Sequence, residues 1–196
     1  MKKRYFHEVI EEEEKILAIG LKQSRLHKKE RLEMALVSKI KERGKELSIL
    51  EGHDRLQYLI DIARDVEELP TADKIEENKI RGCASNLWVV GIINKDNTMS
   101  YKHDGESYIT KGTAKIIIDI VNGESKDAVS KLKLEDFKHL GIRELLTMQR
   151  QVGFASLIER IIRCSLQERE KTLHEVLMEG FREEQEQRRL EEEEDD

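Results

Sequence analysis

Apolar residues in the first third of the chain recur every three or four positions, which is the spacing of amphipathic helices. The pattern predicts helices over residues 1–48 and 53–68, the first crossing a polar segment, LKQSRLHKKER, that is either exposed on all sides or interrupted near Gly20. Pro70 follows the end of the second helix. The apolar stripes are Val9, Ile10, Ile16 and Leu17, then Leu32, Leu36, Val37, Ile40 and Leu47, and then Leu56, Leu59, Ile60, Ala63 and Val66.

The pattern changes period in the middle of the chain. The nearly continuous apolar run NLWVVGII (86–93) predicts a strand that is covered on both faces. The segment NKDN (94–97) supplies turn residues, and Met99, Tyr101 and His103 then alternate with Ser100 and Lys102. Together these segments predict a β-hairpin whose second strand is half-buried, with His103 packed in it rather than serving as a general base.

The last apolar segments predict two more helices. Residues 113–121, TAKIIIDIV, are ambiguous by propensity because isoleucine favours strands. A helix is favoured because Ala114, Ile117, Ile118 and Val121 share one face, and Gly123 provides a stop. A second helix is predicted over residues 148–167, after which charge-dense, helix-forming sequence continues to the end. The apolar stripe of the helix over residues 148–167 consists of Phe154, Leu157, Ile158, Ile161 and Ile162.

Composition and charge narrow the functional classes. The chain is 38% hydrophobic and 39% charged, so some of its 196 residues are expected to form solvated helix outside the core. Residues 182–196 carry nine acids and three bases, which leaves the rest of the chain balanced with 32 of each sign. This balance gives no indication of a basic surface that would bind nucleic acid. No apolar run approaches a membrane span, and the N-terminus lacks a leader pattern, so we expect a cytoplasmic protein.

The two cysteines, Cys83 and Cys164, are too few for a disulfide framework or a structural zinc site. Cys164 lies on the apolar stripe of the last helix and is predicted to be buried. Cys83 follows Gly82 in a run of small residues just before the first strand, which is where a thiolate on a loop could reach a partner. Lys79 and Arg81 are candidates to favour that thiolate. A Gly-Cys pair alone, however, fits a small buried hydrophobe better.

The segment around Cys83 resembles the SufE family. ENKIRGCASNLWVV is similar to that family's G-C-x-S-x-[VL]-W pattern. Three further motifs also resemble the family, and the four occur in the family's order over about residues 46–166. One departure is Gly-His-Asp at 52–54, where the family has W-E-E. The other motifs are RLQYLIDIARDVEELP, DGESYITKG with Asp104, Glu106, Ile109, Lys111 and Gly112 in register, and LLTMQRQVGFASLIERI with Thr147, Arg150 and Gly153 in register.

The resemblance implies an α+β fold in which a small antiparallel sheet of about three strands has helices on one side. The SufE-like domain is expected over residues 36–167, between an N-terminal helical extension (1–35) and a charged C-terminal helix with an acidic tail (168–196). Val9 to Leu17 and Leu173 to Phe181 carry matching apolar stripes, so we expect the two extensions to pack together, within one chain or between two in a homodimer.

The resemblance also implies a function. Cys83 would take persulfide sulfur from a SufS-type cysteine desulfurase, stimulate that enzyme and pass the sulfur to an iron–sulfur scaffold. The chain would then be a persulfide-carrying accessory protein rather than a stand-alone enzyme. Pyridoxal phosphate would belong to the desulfurase, and this chain would bind neither cofactor nor metal. Lys111 and Gly112 would be structural. The residues expected to support the Cys83 loop or contact the partner are Arg81, Gly82, Ser85, Asp104, Glu106 and Arg150.

Other functions fit the residues less well. A scaffold needs about three cysteine ligands, a cysteine hydrolase needs a recognisable Cys, His and Asn/Asp set, and a redox protein favours CxxC. None of these patterns is present. Two alternatives stay open: a helical docking module that transfers no sulfur, and an adaptor that delivers sulfur to another thiol-dependent pathway. Cys83 in its motif argues against the first.

Overall fold

The computed structural model describes residues 30–167, together with residues 23 and 27, as an α+β domain. Short 3₁₀ turns lie at Thr71–Asp73, Glu76–Asn78, Leu134–Leu140 and Arg143–Leu145. No helix in this part of the chain is long and apolar enough to cross a membrane. The main elements are α1 over residues 30–48, α2 Gly52–Arg64, β1 Leu87–Ile93, β2 Met99–Gly105, α3 Tyr108–Val121, α4 Lys126–Val129 and α5 Met148–Leu166.

The two strands form the predicted hairpin. β1 and β2 pair antiparallel in a register that runs from Leu87 opposite Gly105 to Ile93 opposite Met99. The turn between them is closed by the Asn94 amide, which donates to the Thr98 carbonyl at 2.8 Å. The third strand that the resemblance implies is reduced to a single bridge from Lys79 to the other edge of β1.

Only one face of the sheet is fully buried, so the prediction that β1 is covered on both faces was wrong. Leu87 and Val89 are buried, whereas Ile92, on the other face, is 52% exposed. The helices pack on one side only, with α5 against β1 and α3 against β2. An apolar run thus overstated the burial, because sequence alone does not show how many layers cover a strand.

The isoleucine-rich segment is confirmed as a helix, α3, at the centre of the domain. It is buried around most of its circumference because α2 packs on one side and the sheet and α5 on others. Gly112 lies so close to the Leu59 carbonyl of α2 that a Cβ at this position would clash with it. This close approach supports the structural role expected for Gly112.

Helix α5 confirms the predicted C-terminal stripe. Phe154, Leu157, Ile158 and Ile161 are buried, and Cys164 is 2% exposed. A Cβ added at Gly91 of β1 would lie 2.6 Å from the Cβ of Cys164, so the cysteine packs directly on the strand. Cys164 is therefore a core residue, as predicted.

Of the two helices before the sheet, the first ends near residue 48 as predicted, whereas the second ends early. α2 stops at Arg64 rather than at 68, and residues 65–70 lead out of it. The helix over residues 30–48 runs without a break past residue 35 and buries Leu36, Ile40 and Leu47. The proposed domain boundary there stays a prediction. The stripes at residues 9–17 and 173–181, and the homodimer built on them, lie outside the described residues.

Candidate functional site

Cys83 lies on a short loop that joins the Lys79 bridge to β1. Residues 81–86 form this loop, and the Ile80 amide donates to the Leu87 carbonyl at 2.8 Å, which fixes its two ends side by side. Gly82 has a φ of +78°, in the left-handed region that glycine adopts without strain. A Cβ there would also lie 2.9 Å from Cγ1 of Val152 on α5, so the loop is held close to that helix.

The thiol of Cys83 rests on the backbone of α5 at Gly153. A Cβ added at Gly153 would lie 2.5 Å from the Cys83 sulfur and 3.0 Å from its Cα. Gly153 is therefore required for the loop to approach the helix. Cys83 is half-buried in this position.

A small cavity of about 20 Å³ adjoins the thiol. That volume is enough for one water-sized group. Its walls are mainly apolar, so they suit a neutral or polarisable atom such as sulfur better than an isolated small ion. The lining residues are Cys83, Ala84, Leu87, Thr110, Thr113, Leu146, Arg150, Gly153, Phe154 and Leu157.

The resting thiol is not activated by its neighbours. Burial raises the pKa of Cys83, and neither Lys79 nor Arg81 offsets that rise. Lys79 instead lies 4.0 Å from Glu76, and Arg81 is exposed to solvent. The prediction that these two cations favour the thiolate was therefore wrong, because the thiol points into the domain while the two cations lie outside it.

Arg150 is the cationic residue that lines the cavity with Cys83. It is partly buried on α5, one turn before Phe154. Its guanidinium forms no hydrogen bond or ion pair with any other residue in the described part of the chain. Five N–H donors are therefore available beside the cavity for an anion.

The far end of the Cys83 loop is attached to the segment that follows β2. The Glu106 carboxylate accepts the Asn86 side-chain amide at 2.7 Å and the Asn86 backbone N–H at 3.3 Å. The Glu106 backbone N–H in turn donates to the Asn86 carbonyl at 3.0 Å. Ser85 donates to Thr110 on α3 at 3.3 Å. Glu106 and Ser85 thus hold the loop, while Glu106 itself remains exposed.

Asp104 has a different position from Glu106. It is 4% exposed in β2, and its carboxylate contacts Lys111 at 2.6 Å and Lys74 at 2.7 Å. Desolvation raises the pKa of Asp104, but hydrogen bonds from Lys111, Lys74 and the Gly105 amide outweigh it and lower the pKa to about 2. Asp104 therefore joins α3 and the segment after α2 to the sheet. It offers a partner almost no surface.

Several residues of the site were not identified from the sequence. Asn86 and Thr110 hold the loop, and Lys74 pairs with Asp104 from a segment outside any motif. Gly153 was matched to a motif, but nothing local indicated that Cys83 would lie on it. His103 is buried, with Nε2 3.2 Å from the Lys111 carbonyl, which agrees with a packed histidine. Within residues 30–167, no three His, Cys, Asp or Glu side chains meet in a group that could hold a metal ion.

Comparisons with known proteins agree with this fold. Residues 38–164 match the family model described as "SufE: Fe-S metabolism associated domain". An uncharacterized SufE-like protein of Rhizobium meliloti is 30% identical over 115 residues, which cover 57% of this chain and 82% of that protein. The sulfur acceptor protein CsdE of Escherichia coli is 27% identical over 122 residues, covering 61% of this chain and 82% of that protein.

Two further matches show where this domain and fold occur. A chloroplastic quinolinate synthase of Arabidopsis thaliana is 28% identical over 95 residues, which are 48% of this chain but 13% of that protein. The solution structure of a hypothetical protein from Thermus thermophilus superposes with a TM-score of 0.55 at 19% identity, covering 65% of this chain and 93% of that chain. The second match establishes the fold.

Proposed function

The chain belongs to the SufE family, and from that premise we propose that Cys83 accepts sulfane sulfur from a cysteine desulfurase, carries it as a persulfide and delivers it to iron–sulfur cluster assembly. The observation that carries the proposal is the position of the Cys83 thiol over Gly153, half-buried beside a cavity with room for one more atom. A persulfide adds one sulfur atom to a thiol, and that atom needs shelter from other thiols.

The chemistry is a thiol exchange with no net oxidation. The Cys83 thiolate attacks the terminal sulfur of the desulfurase persulfide, the S–S bond of that persulfide breaks, and the desulfurase cysteine leaves as a thiolate. Cys83 then carries –S–SH. A scaffold thiolate attacks the outer sulfur in the second step, and Cys83 leaves as a thiolate.

Burial makes this exchange dependent on the partner. Because burial raises the pKa of Cys83, the resting thiol is mostly protonated near neutral pH and reacts slowly. Docking would release the loop from α5, hydrate the thiol and lower its pKa. Arg150, which has no described partner, would then face the anionic sulfur.

The partner supplies the remaining chemistry. A SufS-type desulfurase would supply the persulfide and would hold the pyridoxal phosphate that its own chemistry needs, and no residue of this chain is assigned to that cofactor. The chain would work in the cytoplasm and would stimulate the desulfurase by removing its persulfide. An adaptor that supplies another thiol-dependent pathway would use the same first step and would differ only in the acceptor.

The test uses the full chain with a SufS-type desulfurase and L-cysteine. We expect the intact chain to gain one sulfur, about 32 Da, at Cys83, and desulfurase turnover to rise. Cys164→Ser is the matched control, because it removes the other thiol. Mass added at Cys164, or full stimulation by Cys83→Ser, would refute the proposal. Stimulation by Cys83→Ser without added mass would point to the docking-module alternative.

A further inference from the structure

A groove of about 350 Å³ lies beside the outer edge of β2 and shares no lining residue with the Cys83 cavity. One part of the lining is the segment 65–70 that leaves α2, and another is Lys115, Ile118 and Asp119 of α3 with Asn122 just after it. Tyr101, Lys102 and His103 of β2 form the third side. A volume of this size is in the range of protein ligand sites.

The β2 edge is paired along only part of its length. The Met99 amide donates to the Glu124 carbonyl at 2.8 Å, and the Asn122 side chain bonds both the N–H and the carbonyl of Tyr101, at 2.6 Å and 3.3 Å. Because outward-facing residues alternate in a strand, His103 is the next residue whose backbone faces the groove. Its N–H and carbonyl have no partner in the described part of the chain.

The His103 ring adds a further acceptor to this edge. The ring is 6% exposed, and its Nε2 lies 3.2 Å from the Lys111 carbonyl, which can only accept. Nε2 therefore carries the proton, and Nδ1 of the neutral ring is an acceptor. Nδ1 has no partner among the described residues. An acceptor without a partner can receive a hydrogen bond from a ligand that brings donors.

The groove carries an excess of negative charge. Four carboxylates and two ammonium groups line it. Lys115 pairs with Asp119 at 2.9 Å, whereas Asp65 and Glu67 have no ion pair with another described residue. Both are exposed and belong to the lining of the groove. An anionic ligand would be repelled here, and a cationic one attracted.

We propose that this groove binds an extended, positively charged segment of a partner protein, which pairs with the backbone of His103 and adds a strand to the sheet. An extended segment has free backbone groups to match the open edge, which a helix does not. Its alternate side chains, lysine or arginine, would reach Asp65 and Glu67. This binding is independent of sulfur transfer at Cys83.

The probe is a short peptide of alternating lysine and valine, titrated against the full chain, beside a glutamate–valine peptide of equal length. We expect the lysine peptide to bind at least about tenfold more tightly, to weaken as salt rises, and to slow hydrogen exchange of the His103 amide. A copy of the peptide with N-methylated backbone should lose that protection.

Two matched variants locate the charge effect. Asp65→Lys with Glu67→Lys should weaken lysine-peptide binding about tenfold, while Glu42→Lys with Glu159→Lys, which makes the same charge change at exposed residues outside the groove, should leave it unchanged. Both variants should still accept sulfur at Cys83. Equal weakening of peptide binding by both variants would overturn the proposal, and so would a lack of protection of the His103 amide. Sedimentation that shows the chain associating with itself through this groove would also overturn it.

Discussion

The Cys83 sulfur lies where a Cβ at position 153 would come within 2.5 Å of it, so a glycine on α5 determines where the thiol rests. Residue 153 is far from residue 83 in sequence, and the loop and the helix meet only in the folded domain. Cys83 is thus held by a contact to backbone, which no side chain at 153 would allow.

We expect Gly153→Ala to push the Cys83 loop off α5. Alanine gains about 1 kcal/mol in helix propensity, but its methyl group takes the space of the thiol. Cys83 should then react several-fold faster with iodoacetamide, and its persulfide should be lost faster to an added thiol. Glu159→Ala, at an exposed position of the same helix, is the control. An unchanged alkylation rate would show that the loop does not depend on this contact.

Glu106→Gln should loosen the same loop from its other end. Glutamine can accept only one of the two N–H groups of Asn86 that Glu106 accepts. Because Glu106 is exposed, the loss of stability should stay below about 1 kcal/mol, while hydrogen exchange in residues 83–86 should accelerate. Glu135→Gln, an exposed acid beside Lys138, is the matched control. Equal exchange in both variants would contradict the proposed role of Glu106.

Arg150 should act on the anionic sulfur rather than on the resting thiol. The raised pKa of Cys83 has burial as its cause and no contribution from Arg150. Arg150→Gln should therefore leave the pH profile of Cys83 alkylation unchanged in the isolated chain, yet slow sulfur acceptance about tenfold by loss of a charge-assisted contact. Arg150→Lys should recover part of the rate. A shifted alkylation profile would instead place Arg150 against the resting thiol.

Asp104 should make stability depend on acid pH. Folding lowers the pKa of Asp104 from the ordinary 3.8 to about 2. The ionised carboxylate therefore contributes to the free energy of unfolding above pH 4, and this contribution is lost as the pH falls toward 2. That contribution is about 2 kcal/mol. Asp104→Asn should destabilise the chain by at least this much at pH 7, because Lys111 loses its buried partner. The difference in unfolding free energy between the unchanged chain and Asp104→Asn, measured by urea unfolding, should be smaller at pH 3 than at pH 7. A difference that stays constant with pH would refute this account.

Cys164→Ala should affect stability alone. The side chain is buried against Gly91, and its removal leaves a small void that costs on the order of 1 kcal/mol. Thermal unfolding measures this loss, and sulfur acceptance at Cys83 should be unchanged. Fast labelling of the native Cys164 thiol by a bulky reagent would contradict its burial.

The sequence by itself determined the elements that depend on local periodicity. The hairpin, α3 and α5 follow from apolar spacing and turn residues, and the buried position of Cys164 follows from its place on a stripe. The motif around Cys83 identified the family, because four short patterns in one order are specific even where each alone is weak.

Only the tertiary structure decided the environment of each functional group. Burial of the Cys83 thiol, its contact with Gly153 and the pairing of Asp104 with Lys74 all join residues that are distant in sequence. Lys79 and Arg81 are neighbours of Cys83 in sequence, yet they do not lower its pKa. Electrostatic effects depend on distance and solvation in space, and chain packing sets both.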